Sequence, residues 1–197
     1  MKTIITFLII GITTSVYCQE SKSYLKLKKN FRYREGYILT LDSTRIDGLI
    51  KDNLSEATKK YSVVNFVAKN GKQKKYRPGN IKGYGYSIHN FVSDNAAFYE
   101  IVLLGKKVSL YKVASQSTWS SSAGMSNMTY SNEHEYFFVK KTNETSTKLV
   151  KQKNFKEEFS KYFSDCEEVV EKIRREEYSY TDIRQIITKY NYCHKEN

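Results

Sequence analysis

The chain has 197 residues, 33 Lys and Arg against 21 Asp and Glu, a formal net charge of +12 and one proline. That length excludes a chain too small to bury its own core and holds one domain or two small ones. The positive balance favours anionic surfaces such as lipid headgroups, acidic glycans or released nucleic acid. The plainer account is a lysine-rich solvated surface.

Met1-Lys2, the apolar run Ile4 to Ile12 and the small and polar residues up to Cys18 predict a signal peptide over 1–18. The run is too short to span a bilayer, and no later stretch reaches the roughly 18 apolar residues a spanning helix needs. No transmembrane span is expected after cleavage. The protein is expected to be exported to the periplasm, the outer envelope or the medium. Cleavage after Cys18 leaves Gln19 first. Lipidation of Cys18 is the alternative, but Tyr17 stands where a lipobox wants a small residue.

Residues 19–35 form a basic arm ending in "KLKKNFRYR", read as extended. From 36 to 150 the pattern is β. "GYILTL" and "RIDGLIK" flank a "DST" turn, and "KKYSVVNFVAK" is followed by Asn70-Gly71, a strong turn dipeptide, and "KQKKYR". "IKGYGYSIHNFVS" reads as a strand pair or a bent strand, with Gly83 and Gly85 as a bulge or bend. "AAFYEIVLLG" and "KKVSLYKVAS" make another hairpin. Residues 115–132 break all periodicity and read as a long loop. Trp119 lies inside it, either as a binding anchor or as a cap on the core. "EYFFVKKT" and "STKLVK" close the region as a hairpin around Asn143-Glu144.

From 151 to 197 the period is helical. Phe155, Phe159, Tyr162 and Phe163 form the first stripe, with Asn154 and Glu157 as a capping box. Val169, Val170 and Ile173 form the second, after Ser164 and Glu167. Ile183, Ile186, Ile187 and Tyr190 form the third, begun by Ser179 or Thr181. The expected fold class is therefore α+β: an antiparallel β-barrel or sandwich followed by a C-terminal three-helix tail.

Cys166 starts the second helix and Cys193 ends the third. In an antiparallel helix pair those ends are neighbours, and an oxidising compartment favours a disulfide. A zinc site would need further ligands from His194, His89 or His134, and the absence of CxxC argues against a thioredoxin-like centre. No metal site and no cofactor is expected.

No catalytic signature is present, so no catalytic residue is assigned. In "NEHEY", Glu133 and Glu135 flank His134. On a loop they could share a metal; in a strand the acids face away from the histidine. Basic residues interleave with aromatics in two stretches. Lys28, Lys29 and Arg32 lie beside Phe31 and Tyr33, and Lys72, Lys74, Lys75 and Arg77 lie beside Tyr76. They are the candidate residues for an anionic ligand. The alternative is a lysine-protected strand edge.

"GYILTLDSTRIDGLIK", "YRPGNIKGYGY" and "LLGKKVSLYK", with "YFSDC" and "YN" in the tail, resemble a broad class of exported β-domain proteins of Bacteroidetes-type bacteria. The similarity spans most of residues 36 to 193. It implies export and this fold, and carries no activity and no functional residues. The expected function is an exported non-enzymatic envelope or secreted protein with a binding or structural role. Its expected partner is an anionic surface, a glycan or an envelope protein rather than intracellular nucleic acid. The rival readings are an enzyme acting on envelope glycans or peptides around residues 115–135 and His134, and a basic adhesion module for anionic surfaces.

Overall fold

The computed structural model describes residues 20–52, 57–121 and 128–193. The signal-peptide segment, Cys18 and His194 lie outside them. The fold is α+β, with one antiparallel sheet of ten strands. These are β1 Tyr33–Leu39, β2 Arg45–Lys51, β3 Val64–Ala68, β4 Gln73–Tyr76, β5 Gly83–Tyr86, β6 His89–Ser93, β7 Phe98–Leu103, β8 Val108–Ser121, β9 Met128–Lys141 and β10 Lys148–Leu149. Their spatial order is β10-β9-β8-β7-β6-β5-β1-β2-β3-β4. β10 and β4 end the order, so the sheet does not close into the barrel that was one of the two expectations. Four helices accompany it among the described residues: α1 Lys22–Lys28, α2 Phe155–Tyr162, α3 Glu167–Arg174 and α4 Ile183–Tyr192.

Strand alternation gives the sheet two faces. The inner face carries Ile38, Ile50, Phe66, Tyr84, Phe91 and Phe98 in one core, which Tyr61 from the 3-10 turn Ala57–Tyr61 covers. Further along the same face, Val108, Leu110 and Val139 meet the stripes of α2, α3 and α4. The three helical stripes read from the sequence are buried as expected.

The N-terminal arm differs from its reading. Residues 22–28 are helical rather than extended. Ser21 accepts the Tyr24 amide, and Tyr24 is buried on the outer face against Leu49 and Val67. A helix this short is marginal alone, so packing on β2 and β3 decides it. Gly71 completes the junction. At φ +86° it turns the β3–β4 hairpin, and a Cβ there would sit 2.2 Å from the Ser23 hydroxyl oxygen.

Residues 115–132 also differ. Instead of a loop, Ser115–Ser121 and Met128–Asn132 extend β8 and β9 as a two-stranded arm, paired from Ser115↔His134 to Ser121↔Met128. Trp119 is therefore a strand residue opposite Tyr130 rather than a loop anchor. The ladder runs past the last β7 partner of β8.

Gly83 and Gly85 pair in regular register with β1 and β6, without the expected bulge. The bulge of this region lies in β7, between Ile101 and Leu103. Two helix caps differ as well. Asn154 starts α2 through a left-handed backbone with no side-chain cap bond, and α3 starts at Glu167 after Cys166, not at Ser164. The Ser179 start holds: its amide donates to Asp182 Oδ2 at 2.9 Å, leading through a 3-10 turn into α4.

Cys166 and Cys193 are joined, with Cα atoms 6.0 Å apart. Lys189 near the end of α4 pairs with Glu168 at the start of α3 at 2.7 Å. This is the antiparallel neighbourhood that the cysteine positions imply.

Candidate functional site

Two polar centres stand out, one on each face of the sheet. The inner one surrounds Glu100, which is only 6% exposed. Glu100 occupies a core-facing position in an otherwise apolar strand. Its Oε1 lies 2.6 Å from His89 Nδ1, and its Oε2 accepts the Tyr61 hydroxyl at 3.0 Å. Lys60 and Lys112 lie 3.6 and 3.9 Å away, and Lys112 also donates to Glu135 at 2.7 Å. Burial pushes the Glu100 carboxyl up. The His89 bond, the two lysines and the Tyr61 hydroxyl outweigh it and hold the group below the usual glutamate range.

Burial and the same carboxylate drive the Tyr61 phenol far above its ordinary value. An ionised carboxylate only accepts, so His89 Nδ1 carries the proton of this bond. That pairing is the orienting half of a general-base device. No hydroxyl or thiol is bonded to Nε2 among the described residues. Both oxygens of Glu100 are occupied by donors from β6, the 3-10 turn and β8. The centre therefore acts as a bolt between elements, at the seam of the two inner-face cores.

The outer centre is an open groove of about 510 Å³ between α1 and the β5–β6 hairpin, floored by β1 and β2. Tyr37 lies across the floor. Its hydroxyl donates to Asn90 Oδ1 at 2.7 Å. Gly85 permits this, because a Cβ there would come within 2.7 Å of the Tyr37 ring and 2.6 Å of Asn90 Oδ1. Asp47 pairs directly across from Tyr37, and Arg45 is its diagonal neighbour. The Arg45 guanidinium sits 3.9 Å from the Tyr37 ring centroid, and its Nε donates to Asp47 Oδ1 at 2.9 Å. The arginine is thus held on one face by an aromatic ring and on one edge by a carboxylate, and it remains more than half exposed. Its Nη atoms make no hydrogen bond among the described residues. Lys28 on α1 lines the groove and pairs with Glu35 at 2.6 Å, which raises its ammonium pKa.

The basic residues singled out in the sequence do not converge on one site. Lys74 and Tyr76 alternate with Gln73 and Lys75 along β4, so Lys74 and Lys75 face opposite sides of the sheet. Lys74 lies over the Tyr76 ring at 4.7 Å. β4 ends the sheet order, where lysines guard an edge. Arg32 lies by Phe31 at 5.8 Å, and Lys29 closes the end of α1. Lys72 and Arg77 flank β4, and of all seven only Lys28 lines the groove. His134 is exposed on the opposite face of β9 from Glu133 and Glu135, the strand arrangement rather than the loop cluster. Among the described residues no group of three His, Cys, Asp or Glu is placed to hold a metal ion.

Sequence reasoning missed Tyr37, Arg45, Asp47 and Asn90, and also His89 with Glu100. A signal existed for Glu100, as the one charge in the apolar alternation of "AAFYEIVLLG". For the groove, "RID" shows only two polar residues on one strand face.

No family model, no curated protein and no solved structure matches this chain. No helix among the described residues is long and apolar enough to cross a membrane.

Proposed function

We propose that this chain is an exported, non-enzymatic binding protein of the envelope or medium of Bacteroidetes-type bacteria, with the groove beside α1 as its ligand site. The observation that carries the binding role is Arg45, fixed by Tyr37 and Asp47 with its Nη edge open to a 510 Å³ groove. A pre-organised guanidinium loses little freedom when a ligand arrives. Export is supported by the signal-peptide pattern of residues 1–18 and by the Cys166–Cys193 bond, a linkage that persists in oxidising compartments. The Glu100 centre favours binding over catalysis, because its carboxylate is buried and spoken for by the fold.

Two measurements test the proposal. The intact mass of protein recovered from its native host is expected to start at Gln19 with one disulfide. A lipid-sized increment on Cys18 would make it an anchored lipoprotein, and an uncleaved N-terminus would refute export. On an array of glycans and peptides, the wild type is expected to give saturable signals that Tyr37→Ala loses, without turnover of the probe. Signals that Tyr37→Ala retains in full would remove the groove as the site.

A further inference from the structure

The groove's chemistry narrows its ligand, and this inference rests on the groove being the binding site. We infer that it takes a uronic-acid unit of an acidic saccharide, with the carboxylate on Arg45 and the sugar hydroxyls on the surrounding polar groups.

Arg45 spends one of its five N–H donors on Asp47 and stacks one face on Tyr37. The remaining edge presents two parallel N–H groups, the fork that matches a carboxylate bidentately. Asp47 stays at the Nε side, where it fixes the guanidinium plane. The other acids of the groove are Glu35 and Glu20, and its other bases are Lys28 and Lys69. Glu35 is matched by Lys28 at 2.6 Å. A carboxylate arriving at Arg45 therefore enters a site of mixed rather than negative charge.

A saccharide, rather than a peptide, fits the walls. Asn90 has its oxygen occupied by the Tyr37 hydroxyl, which leaves the amide N–H groups as donors. Ser87 adds a hydroxyl at the hairpin tip, and Asp47 and Glu35 add acceptors. The lining thus offers both donors and acceptors, as sugar hydroxyls require. The aromatic rings of Tyr24 and Tyr86 are buried, so the groove offers no apolar pocket for peptide side chains.

The experiment is calorimetric titration of the mature, disulfide-bonded protein at low salt with three probes: trigalacturonate, its neutral counterpart galactotriose, and trialanine with a free carboxylate. Trigalacturonate is expected to bind one-to-one and about tenfold or more tighter than galactotriose. Arg45→Gln is expected to erase that advantage while keeping the melting temperature, since the side chain is exposed. Equal affinity for galactotriose, lost in Tyr37→Ala, would overturn the uronate inference and leave the groove standing. Tighter binding of trialanine would overturn the saccharide. Silence of all three probes overturns the uronate inference, and the array result then decides separately whether the groove binds at all. Trigalacturonate binding that survives Arg45→Gln but falls in a Lys72→Ser, Lys74→Ser, Lys75→Ser variant would move the ligand to the β4 edge and overturn the assignment.

Discussion

At the β8–β10 end of the sheet, three helices bury Phe155, Phe159, Phe163, Ile173, Ile186 and Tyr190 against Val108, Leu110 and Val139. At the β1–β3 end, the outer face is covered by the seven-residue α1, which buries Tyr24 on Leu49 and Val67. The first cover is thick, aromatic and cross-linked; the second is about two turns of helix. The contrast shows where a fold of this size can keep an open site. Beside α1 the outer strand face is left polar and accessible, while the inner face of the same strands is packed in the Ile38–Phe98 core.

Breaking the thick cover should cost most. Phe163 is fully buried, with its ring 4.8 Å from Tyr190 and 5.8 Å from Phe159. Phe163→Ala is expected to destabilise by about 3–5 kcal/mol, read as a lowered urea midpoint. Opening the disulfide by Cys166→Ser with Cys193→Ser comes next. The sequence separation is 27, for which the chain-entropy relation gives about 3–4 kcal/mol. Asn191 still docks α4 on the sheet, accepting from the Lys107 and Val108 amides and donating to the Val108 carbonyl, so the variant is expected to fold with a lower melting temperature.

A charge-specific break comes third. Glu100→Gln leaves Tyr61, His89 and two lysines beside a neutral amide, and should cost about 2–3 kcal/mol in denaturant titration. The same group sets a pH dependence. Its carboxyl titrates lower in the fold than in the unfolded chain. Its contribution is therefore complete above the ordinary glutamate range and is lost as pH falls through the lowered folded value. Glu100→Gln should flatten the acid limb of the stability curve. An unchanged acid limb would contradict the bolt.

The smallest effect sharpens the comparison at the thin cover. Ser21→Ala removes the cap on α1 and should cost about 1 kcal/mol. Amide exchange is expected to speed up in residues 22–28 and to stay unchanged in α2, α3 and α4. If the helical end speeds up equally, the two covers are one cooperative unit.

Much of this architecture was legible because burial leaves a period. The hairpins of β1–β2, β3–β4, β5–β6 and β7–β8 and the stripes of α2, α3 and α4 all bury one face, and alternation or helical spacing reports that. The arm of residues 115–121 and 128–132 runs past the last β7 partner of β8, and its ladder was silent in the sequence. α1 was silent as well. Its seven residues include a single buried one, Tyr24, which is too little for a period.

The sequence by itself determined the class of fold, the helical tail, the pairing of Cys166 with Cys193, and the split of His134 from its flanking acids once that stretch is a strand. These follow from local spacing and from the few options two cysteines have. Only the tertiary structure decided that the sheet stays open, that Glu100 meets His89 and Tyr61, and that Arg45 stacks on Tyr37 while most of the marked lysines scatter. Those outcomes depend on strand order and register, which bring together residues up to 53 positions apart, as with Tyr37 and Asn90. A period of two names the face a residue takes, but not the neighbour it finds there.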